Sequence, residues 1–349
     1  MTAQVPGCAN QSASAEVWAR AVAAATPRED KATLEIDGQA RTFTTVFISS
    51  FPCSGNDWLT DALNHHPDIW CGPTPVAASY ASKYDQMFAS QGGRPTLPDP
   101  TGGSGAYATV EDAARRHVLL AAASKQGVKT VCDIGERAVD PMHEGSWQFV
   151  MVRDGRDVLV DYTMRQLLTD GSAMRAYSQR PDFQTSGSVA RLASLRRDLV
   201  ANPDLFESCP HLLLSDEGWV RYAATQWSEQ RKSDFNSQGG MNDDVTTWMT
   251  WLRYEDLRSP STGHLGELLR CLSVDKAAAP WLRAHAHACD DARNRGRPAG
   301  AHRPGAIGQW RRYFTPQYSK WFRQETGWAL YNDEYETDKK WQGDCRPSG

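Results

Sequence analysis

The chain has 349 residues, of which 40% are hydrophobic, 10% aromatic and 23% charged. That apolar fraction supplies a core and excludes a disordered chain. Lys plus Arg number 38 against 42 Asp plus Glu, a formal net charge of −4, which excludes a strongly basic nucleic-acid-binding protein. Mean hydropathy is −0.58, and no apolar run nears the ~20 residues that a membrane-spanning helix needs.

Residues 1–30 read as a polar, Ala-rich tail, and 31–345 as a single domain. The apolar stretch Val17 to Ala25 is short, is interrupted by Arg20 and lacks a basic flank, so it reads as an amphipathic helix and not as an export signal. A cytosolic protein is expected. The eight cysteines form no CxxC pair, so neither a zinc ribbon nor a thioredoxin-type site is suggested and reduced thiols are expected.

In chain order, 33–37 and 42–50 read as strands. The second, Thr42-Phe-Thr-Thr-Val-Phe-Ile-Ser-Ser50, is β-branched and aromatic. It runs into the turn-rich Phe51-Pro-Cys-Ser-Gly-Asn-Asp57, and Trp58 to Leu63 has helical spacing. Residues 90–106 are Gly/Pro-rich and read as a loop or lid, with a helix from about Val110 to Ser124. Val128 to Cys132 is a short strand. Trp147-Gln-Phe-Val-Met-Val152 is a buried strand leading into Arg153-Asp-Gly-Arg-Asp157 and a helix over 158–168. Residues 171–245 read as polar and mostly helical. Trp248 to Arg253 is a further strand, Leu265 to Leu272 and Trp281 to Ala288 are helices, 293–309 is a basic Gly-rich loop, and 316–331 is an aromatic helix. Strand–loop–helix passages separated by helices predict an α/β fold, a central parallel sheet with helices on both faces.

Three loops hold the residue types for anion binding. A Gly-containing loop between strand and helix directs backbone N–H groups and the helix dipole at whatever sits above it, and Ser54 and Asn56 add side-chain donors. The plain alternative is an ordinary βα turn. It is not a Walker loop, because GxxxxGK[ST] is absent. Arg153 and Arg156 stand at a strand's carboxyl end, where open α/β sheets bind ligands, and guanidinium forks suit phosphate oxygens. The alternative is a surface network of both Arg with Asp154 and Asp157. The third loop, Arg303-Pro-Gly-Ala-Ile-Gly-Gln-Trp310, follows Arg293, Arg295 and Arg297 and has a flexible basic loop as its alternative.

Together these loops resemble the PAPS-dependent sulfotransferases. FPCSGNDW is similar to their phosphosulfate loop, usually YPKSGTTW, and closest to the PGSGNTW variant of eukaryotic and algal relatives. VRDGRDVLVDY is similar to RxPRDVxVSxY, WLRYEDL to F-x-YEDL, and RPGAIGQWRRYFT to RKGxxGDWKxxFT. All four occur in the family's order over about residues 43–330. The resemblance implies a P-loop-like sulfotransferase architecture. It also implies sulfuryl transfer from PAPS to a hydroxyl or amine of a small-molecule acceptor, with release of PAP and no metal. Cys53, Ser54, Gly55, Asn56, Asp57 and Trp58 match the 5′-phosphosulfate loop. Arg153 matches the 3′-phosphate Arg, Arg303 and Gly305 the loop closing over that phosphate, and Trp58 and Tyr254 the adenine contacts.

The pattern breaks at five places. Cys53 replaces a Lys that stabilises the leaving oxygen, with Arg303 or Lys129 as substitute cations. Asp161 replaces a phosphate-binding Ser, Asp57 a Thr, and Pro304 a Lys. The catalytic His of a "KTH" strand end is missing from Lys129-Thr-Val-Cys-Asp-Ile134, which makes Asp133 the candidate base, with Glu136 and His143 behind it. Two rivals remain: a non-catalytic PAP- or nucleotide-binding relative, and a nucleotide-dependent phosphotransferase. Other motifs carry less. Gly103-Ser-Gly-Ala-Tyr-Ala108 follows no strand, and His285 and Cys289 at i, i+4 have no further clustered ligands.

Overall fold

The computed structural model describes residues 31–36, 39–73, 127–135, 147–169, 172–239, 249–297, 301–333 and 335. The 1–30 tail, the 90–106 loop, the 110–124 helix, the 103–108 motif, Glu136 and His143 lie outside them. Six strands form one sheet: β1 (Lys31–Ile36), β2 (Gln39–Ser50), β3 (Ile69–Pro73), β4 (Thr130–Gly135), β5 (Trp147–Val152) and β6 (Met249–Arg253). Their order is β3-β4-β2-β5-β6, with β1 paired antiparallel to β2. The other pairings are all parallel, as the α/β reading predicts.

The central strands are apolar toward both faces, which is the pattern of a covered parallel sheet. Val46, Ile48, Phe149, Met151 and Leu252 pack with Trp58, Leu59, Leu265 and Leu282 on one face. These belong to helices α1 (Asn56–Asn64), α6 (His264–Cys271) and α7 (Ala279–Asn294) and to the strands between them. Val150 and Val152 point the other way, against Trp251. That side holds α2 (Gly155–Thr169), α3 (Ser188–Ala201), α4 (Glu217–Gly239) and α9 (Pro316–Asn332), with a second apolar cluster around Trp219, Trp227 and Phe322. The short α5 (Tyr254–Arg258) follows β6, and α8 (Trp310–Tyr313) precedes α9. No helix among the described residues is long and apolar enough to cross a membrane, and the described cysteines are free thiols.

Beyond shifted bounds at β1 and β2, the differences from expectation lie at β3 and β4. β3 is not among the predicted strands. Parallel pairing with β4 and the Asn64 side chain, which accepts from Cys71 N–H at 2.7 Å, hold it extended. β4 runs to Gly135, three residues past the predicted end, because β2 offers it a partner as far as Ser49.

β2 has β4 on one side and β5 on the other, so the chain leaves the sheet in opposite directions from adjacent strands. Crevices of this kind, beyond the carboxyl ends of the strands, are where such sheets bind ligands. On the α4 side the sheet is tied by Arg231. It donates to Asp333 through Nη2 at 2.7 Å and Nε at 2.9 Å, and to Asp234 at 3.2 Å, over the Trp251 ring. Asp234 also accepts from Ser49 of β2. Removing one partner of a buried ion pair strands the others. Arg231→Ala should therefore lower the unfolding free energy by about 3–5 kcal/mol, read from urea denaturation.

Candidate functional site

The site is built on α2, a helix with buried residues around its whole circumference. It carries Asp157 and Asp161 at i, i+4, on one face. Buried carboxylates need donors, and both find them in the 302–310 loop. Asp157 accepts from the N–H groups of Gly308 (2.6 Å) and Trp310 (2.9 Å). Asp161 accepts from Gly305 N–H (2.9 Å) and the Gln309 amide (2.7 Å), and bonds His302 Nε2 at 2.6 Å. A loop without regular structure thus has its backbone donors satisfied by helix side chains.

Arg153 leaves the end of β5 and is 1% exposed. Its Nη1 donates to Asp161 at 2.5 Å and to the Cys53 carbonyl at 2.8 Å, and its Nη2 donates to the Ala306 carbonyl at 2.8 Å. One guanidinium therefore joins the β2–α1 loop, α2 and the 302–310 loop. Its Nε is buried with no hydrogen-bond partner among the described residues. Burial opposes its charge, but Asp161 and Asp157 outweigh that, and its pKa is raised. Burial also works against the Asp161 carboxylate, yet Arg153 and His302 hold its pKa below the usual range. Asp157, with burial dominant and Asp154 adding repulsion, is pushed up to about 7 despite Arg153.

Tyr254, the first residue of α5, is fully buried. Its hydroxyl donates to the Gly305 carbonyl at 2.8 Å, and the Arg153 guanidinium lies 5.1 Å from its ring centre. Gly55, at φ +108°, packs directly on the ring: a Cβ there would lie 2.2 Å from Tyr254 Cδ2. Trp58 is 1% exposed and meets Tyr254 edge-on at 6.1 Å. The two rings expected at an adenine are thus both buried, and they pack on each other and on the loop. Arg258 closes the group, bonding the Tyr254 hydroxyl, the Gly305 carbonyl and Asp290.

In the loop itself Cys53 adopts φ +68°, the left-handed region. Ser54 is buried and Asp57 is exposed. The first bond of α1 runs from Leu59 N–H to Gly55 C=O, so the N–H groups of Asn56, Asp57 and Trp58 precede the ladder. Arg156 pairs with Asp154 through two bonds of 2.8 and 2.6 Å and lies over the Trp310 ring, so it does join Asp154, but in a buried pair and not in a surface network. Arg153 instead pairs with Asp161. Arg303 is exposed. Lys129 bonds Asp68 at 2.8 Å at the amino end of β4, opposite the carboxyl ends that carry Cys53, and so cannot replace the missing Lys. Asp133 sits in β4 in register with Phe47 of β2 and Gly72 of β3. His285 and Cys289 do meet, at 3.4 Å, yet no group of three or more potential ligands able to hold a metal occurs among the described residues.

Sequence reasoning missed His302, Gln309 and Arg258, and did not see that Asp157 and Asp161 share a task. The signal was present: two carboxylates one turn apart on a helix that leaves a buried strand demand donors from elsewhere.

No protein-family model matches this chain, and no curated protein matches it in sequence. Similar solved structures include mouse sulfotransferase SULT7A1 complexed with PAP. That match has 13% identity over 87% of this chain and 96% of that one, at a TM-score of 0.42. Another is retinol dehydratase in complex with androsterone and PAP, with 14% identity over 90% and 94% and a TM-score of 0.37.

Two outcomes follow from this geometry. Gly55→Ala forces a Cβ into the Tyr254 ring at a φ that only glycine adopts freely, and should cost about 2–4 kcal/mol. Gly127→Ala, at φ +87° with nothing within 4 Å, should cost only about 1 kcal/mol; denaturant midpoints compare them. The second outcome concerns pH. The folded-state pKa of Asp157 lies above its unfolded value of about 4, so its contribution is fully present below that value. It is lost as pH rises through about 7. Unfolding free energy should therefore decline over that window, and Asp157→Asn should flatten the decline.

Proposed function

We propose that this chain is a PAPS-dependent sulfotransferase that moves a sulfuryl group to a hydroxyl or amine of a small molecule and releases PAP. The observation that carries the reading is the convergence of three separate segments on Arg153. These are the 51–58 loop after β2, the strand end of β5 itself, and the 302–310 loop, all at the carboxyl side of a parallel sheet. They are the same segments whose sequences resemble the family's nucleotide-binding elements. The N–H groups of Asn56 to Trp58 suit the 5′-phosphosulfate. Asp133 is the proposed base, and alignment and charge stabilisation supply the catalysis.

The fit is uneven. The 51–58 loop has N–H groups to offer, whereas the donors assigned to a 3′-phosphate are engaged by Asp161. That favours a second reading, a non-catalytic nucleotide-binding relative, to which the neutral Cys53 in the Lys position also points. The third candidate, a phosphotransferase, is disfavoured by the absence of a Walker Lys-Ser/Thr.

Thermal shift with PAP and ATP, followed by mass spectrometry of products from PAPS and an acceptor pool, tests the reading. PAP at about 100 times its Kd should add ~2.7 kcal/mol, ATP should add little, and a sulfated product should appear. Stabilisation by ATP and not by PAP overturns the assignment. PAP binding without any sulfated product selects the non-catalytic relative.

A further inference from the structure

The donors around Asp161 form an anion cradle. The Arg153 guanidinium, the Gly305 N–H, the Gln309 amide and the His302 ring reach one carboxylate, at 2.5 to 2.9 Å. They come from two segments far apart in sequence, and each is aimed at the place where negative charge sits. A tetrahedral oxyanion is held by the same equipment: a guanidinium, a backbone N–H in a glycine turn and further side-chain donors. Arg153 Nε is in addition a buried donor with no partner among the described residues.

We infer that Asp161 is a resident anion holding a phosphate seat, and so sets the affinity of that seat for phosphorylated ligands. A second anion cannot share the cradle, because two like charges at contact distance repel strongly where water is excluded. A phosphate therefore enters only as the Asp161 carboxylate gives way and the 302–309 loop lifts from it. Reducing Asp161 to a hydroxyl-bearing side chain removes the competitor and leaves every donor in place. The seat follows from the donors alone. Its assignment to the 3′-phosphate of PAP rests on the proposed function.

The test uses the full chain and three probes: inorganic phosphate, PAP and 5′-AMP, each against chloride of equal ionic strength. In chloride Asp161→Ser should melt below the wild type, because Arg153 loses its partner. Phosphate should restore it saturably while leaving the wild type unmoved, and PAP should bind Asp161→Ser at least about tenfold more tightly than the wild type. 5′-AMP, which lacks the 3′-phosphate, should show no such gain. Asp161→Asn, isosteric and neutral, serves where the serine variant does not fold. A folded neutral variant that neither phosphate nor PAP rescues overturns the inference, as does equal PAP affinity in variant and wild type. Rescue by phosphate with PAP no better than phosphate supports the seat and sinks the nucleotide reading, so the two failures are separable.

Discussion

The buried pair of Arg153 and Asp161 is the constraint around which the carboxyl side of the sheet is arranged. Taking both charges out of water costs several kcal/mol per ion, and their attraction returns that only when the remaining polar atoms are bonded. Here they almost all are. The Arg153 amino groups also reach the carbonyls of Cys53 and Ala306, and the carboxylate takes Gly305, Gln309 and His302 as well. The pair is a poor source of net stability and a strong source of position. It fixes three chain segments relative to one another, since any one of them moving leaves a charge unsolvated. The arrangement also divides one cation between two carboxylates unequally. Asp161 takes the short contact and stays ionised. Asp157, one turn nearer the start of α2 and held by backbone N–H groups, is left with a raised pKa.

Packing around Tyr254 enforces the same geometry without charge. The ring lies between two glycines from different segments. A Cβ on Gly55 would meet the ring at 2.2 Å and one on Gly305 would meet the hydroxyl at 2.8 Å. Both glycines have positive φ, so each is needed twice, for its backbone angle and for its missing side chain. Cys53, also at positive φ, has no such freedom, and its conformation is strained for a side chain of that kind. Its carbonyl is the one that Arg153 holds. The strain and the bond occur at one residue, so the loop's shape is set by the arginine and not by local preference.

The main strands and the order of the loops were legible in the sequence because their causes are local. β5 is a run of buried apolar residues ended by charge, and its bounds match the reading at both ends. The roles of the site residues were less legible because they depend on distant chain. Arg153 reads as a free phosphate ligand only while its partner is unknown, and Asp161 lies two helical turns into α2. His302 and Gln309 reach Asp161 across 141 and 148 residues, a proximity that no local pattern encodes. Lys129 failed for the opposite reason. It is close in sequence to Asp133, yet a strand has two ends, and β4 puts Lys129 at the wrong one. The packing of Tyr254 on Gly55 and Trp58 joins the 51–58 loop to α5, another contact that no local pattern encodes.

The closed 302–310 loop can also be judged by what leaves it unsatisfied if it lifts. Its own N–H groups at Gly305, Gly308 and Trp310 regain water, and so do the carboxylates of Asp157 and Asp161. Arg153 fares worse. It stays at the end of a central strand, between Tyr254 and the 51–58 loop, and loses the Ala306 carbonyl, keeping the Asp161 carboxylate, which stands on α2 and not on the loop. A guanidinium buried in that way is costly unless a carboxylate stays paired with it. Asp161 therefore neutralises Arg153 whether the loop is closed or lifted, and an incoming anion has to exchange with it on the same cation. Exchange of this kind keeps the charge count at Arg153 constant throughout, which is the condition that a low-dielectric site imposes.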